Sequence, residues 1–365
     1  MRKKATQKTP FDYVLFTLCM AVTILGIAMI FSAAGFSAAV KQTIAMVVGA
    51  GCMYFVLAVP NRFYHRFWWV FFLINLILLG LTLYMGIGRE ETGGQSWLVL
   101  GPVRFQPGEL VKMGFIISFA AHVDTVKENI NRFSVILILL LHAGVIIGLI
   151  LAQPDAGTAL VFLFITISMM YAAGLHYTWL IAGGLVSLGA FPFVWMNLQT
   201  YQKERIFTFL QPERDPLGYG YQVIQSKTAI SGGGLYGHGY LHGVLTQSDA
   251  LPAKHTDFLF AVLGEELGFW GCMLIMILLL TIILRVFLTA KVSKTSFGTI
   301  VCAGIGAMLL FHTFENIGMC MGLMPVTGIP LPFFSYGGTA LVTVFIGIGL
   351  VMNARYRTSA ESRRK

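Results

Sequence analysis

Apolar runs of about 20 residues, separated by short polar intervals, fill most of this chain, and that pattern fixes its solvent before any single residue is considered. They lie at 11–33, 40–60, 65–87, 134–152, 156–175, 177–197, 257–289, 297–324 and 335–353, with a shorter, more polar one at 107–123. Roughly 20 apolar residues carry a helix across a bilayer. Lipid offers no partner to a backbone N–H or C=O, so spanning runs of this kind must be helical. Composition agrees, with 56% hydrophobic and 11% charged residues and a mean hydropathy of +0.76, whereas soluble domains carry about 25% charged residues. The expected fold is an all-α polytopic membrane protein with about ten transmembrane helices, residues 1–365 forming a single integral membrane domain.

A net charge of +9 would suit a nucleic-acid binder if the cations were gathered in one patch. They stand instead at the ends of apolar runs, where lysine and arginine encode topology. With the N-terminus cytoplasmic, sixteen of the 25 basic residues fall inside, among them Arg2, Lys3, Lys4, Lys8, Arg285 and Arg355. The short outer segments hold four: Lys41, Arg89, Arg104 and Lys112. Both termini are therefore expected in the cytoplasm, with one long extracellular loop, 198–256, before the eighth helix. The first run is longer than the 7–15 residues of a signal-peptide core and is read as a retained helix. The five cysteines all fall inside apolar runs, where they read as small buried hydrophobes.

The interval from Tyr201 to Gly268 is the only long polar one, and it runs into an apolar segment that carries Asp257, Glu265 and Glu266. Ionisable groups at membrane depth are costly and usually belong to a site. Two readings of Asp257 stand together: Thr256 or Asp257 caps a helix N-terminus, or Asp257, beside Lys254 and His255, is a base that loses and regains a proton. Glu265 and Glu266 need partners or a wet cavity. Asp155, in Gln153–Thr158, reads as a helix cap at a tight outer turn, and Glu109 with Lys112 as an ion pair on one helix face or the lining of a cavity. Trp97 lies at an interface where tryptophan is commonly an anchor. Ser231–Gly239 reads as a flexible loop whose amides are suited to cradling phosphate or sugar. Lys203, Arg205, Arg214 and Lys227 make the long loop locally basic, as a pyrophosphate-bearing substrate or a solvated face would both require. Met324–Gly338 puts three prolines and three glycines at membrane depth, which is tolerated only inside protein or against a cavity.

The segments QPDAGT (153–158), ERIFTFLQPERDPLGYGYQVIQSKTAISGGGLYGHG (204–239), LPAKHTDFLFAVLGEELGF (251–269) and NIGMCMGLMPVTGIPLPFFSYGG (316–338) resemble the SEDS family (shape, elongation, division and sporulation), and within it the elongation subgroup. The resemblance implies a ten-helix peptidoglycan glycosyltransferase of the bacterial plasma membrane. It would polymerise lipid II into β-1,4 glycan strands at the outer face, with inversion and release of undecaprenyl pyrophosphate. It makes Asp257 the catalytic residue and Trp97 functionally required, with Lys203, Arg205, Lys227, His255 and Thr256 as candidates for substrate binding. Glu109, Asp155, Glu265 and Glu266 would be supporting membrane carboxylates. A class B penicillin-binding protein, the transpeptidase, and other elongation-complex membrane proteins are the implied partners, and nucleic acid is not. A divalent cation, Mg²⁺ or Mn²⁺, is a candidate for stabilising the leaving charge; no organic cofactor is called for. A lipid II flippase and the division or sporulation members of the family are the alternative readings. The chain departs from the family pattern at Gly108, Ala156 and Ala253–Lys254.

Overall fold

The computed structural model describes residues 11–88, 95–101, 103–197, 200–215 and 218–361, and these are almost entirely helical. Asp12 caps α1 (Tyr13–Ala58), its Oδ1 accepting from the Leu15 N–H at 3.1 Å. The helix breaks at Gly35, where φ is 77°. Its partners along the last helix, α13 (Gly338–Glu361), show what the break does. Asp12 pairs with Arg355, Gly26 packs on Phe334, Gln42 bonds Ser335 and Gly337, and the Val56 and Val59 carbonyls accept from Asn353. Both ends of α1 therefore reach the same end of α13, so the chain reverses at Gly35 and the apolar runs 11–33 and 40–60 become two legs of a hairpin.

Between these lie α2 (Asn61–Arg66), α3 (Trp68–Met85), the antiparallel pair β1 (Leu98–Leu100) and β2 (Val103–Phe105), and α4 (Pro107–Val126). There follow α5 (Phe133–Ala152), α6 (Ala156–Ala172), α7 (Tyr177–Asn197), α8 (Thr200–Leu210), α9 (Tyr219–Gly232), α10 (Val244–Gln247), α11 (Leu259–Val292) and α12 (Ser296–Cys320). Among the described residues, six helices (α1, α3, α5, α11, α12 and α13) are long and apolar enough to cross a membrane. This is a multi-pass membrane protein. α12 is its centre: 72% of its apolar window is buried within the protein, against 17% for α3, whose side chains face outward.

Two expectations need correction. The interval 198–256 is not an open loop, because α8, α9 and α10 occupy much of it. The run at 257–289 is not one helix either. It begins at Leu259 with no side-chain cap, and Thr256 bonds the Ala253 carbonyl instead, so neither Thr256 nor Asp257 caps it. The helix then breaks at Gly268 (φ 64°).

That second break explains the glycine-rich segment before it. The N–H groups of His238 and Gly239 donate to the carbonyls of Glu265 and Glu266, and those of Phe269 and Trp270 donate to Gly234 and Leu235. Two backbones are thus in direct contact. A Cβ on Gly237 would lie 2.1 Å from the Glu266 oxygen, and one on Gly268 would lie 2.4 Å from the Gly237 nitrogen. Ser231–Gly239 is therefore a packing surface, and its amides at 237–239 are bonded internally rather than held open for phosphate or sugar. Gly268→Ala combines a left-handed φ with that clash, so the purified protein should lose about 1–3 kcal/mol or more, read as a lowered melting temperature. Gly80→Ala, on α3 with nothing within 4 Å, should leave it unchanged or raised.

Candidate active site

Four side chains on one face of α12 (His312, Glu315, Asn316 and Cys320) hold the non-helical segments that meet at the end of the bundle remote from the termini. Spacings of three and four residues place such groups above one another. The Asn316 Nδ2 donates to the Asp257 carbonyl at 3.0 Å and to the Ile329 carbonyl at 2.8 Å. Cys320 approaches the same Asp257 oxygen at 3.6 Å. Glu315, buried, accepts the Thr327 hydroxyl. The Asp257 carboxylate, half-buried, lies over the next residue, since a Cβ on Gly328 would be 3.7 Å from its Oδ2. The turn carrying Asp257 is closed by Thr256 N–H and Phe258 N–H, both donating to Ala253, and by Tyr336 N–H donating to the His255 carbonyl at 3.0 Å. The irregular proline- and glycine-bearing stretch at 324–338 is buried in protein at 326, 329 and 331–335, and Gly328, under Asp257, is exposed, so it packs in protein and lines the site as backbone at that depth must.

Asp155 and Trp97 join this surface from the other side. Asp155 caps α6, accepting from Thr158 N–H at 3.0 Å and its hydroxyl at 2.8 Å. One turn on, a Cβ on Gly157 would stand 3.0 Å from the Thr327 Cβ, so the Asp155 turn abuts the loop over Asp257. The Trp97 strand is tied to the same turn, with Gln95 N–H donating to Gln153 O at 3.1 Å, and Gln153 Nε2 donating to Leu79 O at 3.0 Å. Trp97 itself is half-buried and pairs through its backbone with Ile87. Residues 89–94, including Gly93 and Gly94 beside it, lie outside those described.

The basic candidates divide. Lys227 is exposed on α9, its stem against Gly322, and α9 is fastened to the end of α12 by Ser226 Oγ donating to Cys320 O at 2.7 Å. Lys227 therefore flanks the Asp257 site. Lys203 is not brought there by any described contact, its ammonium reaching the Met196 carbonyl at 3.5 Å. The side chain of Arg205 lies outside the described residues. Lys254, next to His255, directs its ammonium to Asp249 at 2.5 Å and the Thr246 carbonyl at 2.6 Å. Burial and then this neighbouring cation hold the His255 imidazole below its ordinary value, so it is neutral at pH 7.

The remaining carboxylates are structural. Glu265 accepts from Leu245 N–H (2.6 Å), Thr246 N–H (3.0 Å) and the Thr246 hydroxyl (2.6 Å). Glu266 accepts from Ser32 (2.5 Å), Leu241 N–H (3.2 Å) and Gln247 (3.5 Å). Neither is paired to a cation by these contacts; backbone amides and hydroxyls satisfy them, and they pin 241–247 onto α1 and α11. Glu109 pairs with Lys112 at 2.7 Å, and Lys112 reaches His312 Nε2 at 3.0 Å. All three are buried, beside a cavity of about 10 Å³ lined also by Pro330, Leu331 and Ser335. Sequence reasoning missed His312, Glu315 and Asn316 as site residues, although three polar groups within five positions of an otherwise apolar run were a readable signal.

A family model described as cell cycle protein, covering FtsW, RodA and SpoVE, matches residues 12–360. The chain belongs to this family. It is 35% identical over 358 residues to the peptidoglycan glycosyltransferase MrdB of Escherichia coli, covering 96% of this chain and 95% of that one. Among solved structures it is similar to a chain from a peptidoglycan synthase complex that coordinates polymerisation and crosslinking (TM-score 0.84, 32% identity, covering 95% and 98% of the two chains). It also resembles the rod shape determining protein RodA of Thermus thermophilus (TM-score 0.69, 28% identity, 94% and 96%). The motifs that carry the family resemblance in this chain are those that the fold gathers around Asp257.

Because His255 is buried beside a cation, its titration should fall below 6.5 when followed by NMR, and Lys254→Met should move it upward. The folded state favours the neutral ring, so this group contributes a loss of stability as pH drops below 6.5.

Proposed function

We propose that this chain is a peptidoglycan glycosyltransferase that polymerises lipid II, with Asp257 as its general base. The observation that carries the reading is the clamping of the Asp257 backbone by Asn316 and Cys320, which fixes this half-buried residue among the segments typical of the family. Asp257 accepts the proton of the 4-hydroxyl of an acceptor GlcNAc. The oxygen so released attacks C1 of the donor MurNAc, the bond from C1 to the pyrophosphate oxygen breaks, and undecaprenyl pyrophosphate leaves with inversion. Pyrophosphate departs without being protonated, so one carboxylate suffices where sugar hydrolysis uses two. Neutral His255 leaves the charge of the site to Asp257, and Lys227 at the rim is placed to attract the pyrophosphate. Trp97 and Asp155 shape the opposite wall.

Among the described residues, no three His, Cys, Asp or Glu side chains gather as metal ligands. A Mg²⁺ or Mn²⁺ ion fits this chain as one carried on the substrate pyrophosphate, since Mg²⁺ is commonly held by one or two carboxylates plus phosphates. Its chemistry would be neutralisation of leaving charge.

With both termini cytoplasmic, about ten crossings and the Asp257 face outside, lipid II would be presented to Asp257 from the outer leaflet. A class B penicillin-binding protein would crosslink the product in an elongation complex. The flippase reading needs ionisable groups free to serve a path near the midplane. Here Glu109, Lys112 and His312 bond one another beside a cavity with room for about one water, which favours the synthase. Purified protein, with and without its transpeptidase, should convert lipid II and divalent cation into glycan chains in detergent. Absence of polymer under both conditions would refute the proposal and leave a transporter or scaffold.

A further inference from the structure

At the opposite end of the bundle from Asp257, two arginines converge on a single carboxylate. Asp12 takes Arg285 through Nε and Nη2, at 3.0 and 2.7 Å, and also accepts from Arg355 Nη1. Burial alone would raise the Asp12 carboxyl, but hydrogen bonds from Arg285 and Leu15 and the Arg355 charge outweigh it and hold it below its ordinary value. The cluster therefore carries two positive charges and one negative. Asp12 is the one carboxylate paired with either arginine among the described residues.

Both guanidiniums are partly exposed, Arg285 at 31% and Arg355 at 38% of the side chain. Arg285, Leu288, Thr289 and Val292 share one face of α11 and, with Arg355 of α13, line a cavity of about 150 Å³. Leu288 and Val292 are 59% and 57% exposed, so the groove opens sideways, where a membrane-spanning helix meets acyl chains. Arg285 stands seven residues before the helix end, about 10 Å along it. An arginine at that depth is costly unless paired or reaching the interface. Asp12 cancels one guanidinium; the second keeps its charge beside a hydrocarbon wall, with guanidinium donors suited to phosphate.

We propose that this groove is a binding site for an anionic glycerophospholipid, the phosphate on Arg355 and Arg285 and an acyl chain along Leu288 and Val292. Basic pockets between helices at the cytoplasmic side are suited to such headgroups. Only the leaflet, the inner one, rests on the orientation proposed above; the site does not depend on the role of Asp257, so either can fail alone.

The test is native mass spectrometry and thermal melting of the full chain in nanodiscs of phosphatidylcholine with or without phosphatidylglycerol, and in detergent with inorganic phosphate. Phosphatidylglycerol should be retained roughly fivefold over phosphatidylcholine per arginine engaged and should raise the melting temperature. Arg355→Gln, which leaves Asp12 its bidentate partner, should abolish the preference. Val292→Trp, which fills the groove at an exposed position without altering charge, should lower retention of phosphatidylglycerol as well. Equal retention of the two lipids, an unchanged preference in both variants, or stabilisation by inorganic phosphate as large as that by the lipid would each overturn the assignment.

Discussion

The contact on which the Asp257 end of this protein depends is one of backbone against backbone, where 234–239 lies on the break of α11 at Gly268. Four hydrogen bonds between the two segments form there because Gly237 and Gly268 have no Cβ to hold the backbones apart. The contact sits beside Glu265 and Glu266, which lie against 241–247 and accept its N–H groups. The chain leaving 247 is tied again at Asp249 and Lys254 and enters the turn that carries Asp257. A carboxylate on an untethered loop would sample many positions, and chemistry that depends on a hydroxyl within hydrogen-bond reach would suffer.

The acidic groups of the membrane-embedded region find partners in three distinct ways. Glu265 and Glu266 are held by amides and hydroxyls, Glu109 by the Lys112 ammonium, and Glu315 by a threonine hydroxyl. The first two solutions avoid the large cost of an unpartnered buried charge, whereas Glu315 keeps its Oε2 buried without a hydrogen-bond partner. The backbone of half-buried Asp257 is fixed as well, its carbonyl accepting from Asn316.

Much of this was legible before the structure. Apolar run lengths marked the six helices that, among the described residues, are long and apolar enough to cross a membrane, and the helix cap at Asp155 and the Glu109–Lys112 pair followed from local spacing alone. The hairpin at Gly35 was legible as two runs, but its turn was not. Misreadings arose where a long-range partner decides the outcome. Ser231–Gly239 has the composition of a flexible anion-binding loop, and only the break 30 residues later makes it a packing surface. Asp257 has a capping residue's position relative to an apolar run, yet the helix starts at Leu259 because Asn316, 59 residues away, holds the Asp257 carbonyl. Helices α8 to α10 were hidden because their packing, not an apolar period of spanning length, stabilises them.

The central claim is that Asp257 performs the proton transfer and does not merely support the fold. Its most direct test is glycan-chain yield from lipid II for Asp257→Asn beside the unaltered protein, with melting temperatures measured on the same preparations. The variant should melt normally and lose roughly 10²–10⁴ in polymerisation rate, the usual worth of a general base. A folded variant that polymerises at the unaltered rate would contradict the account.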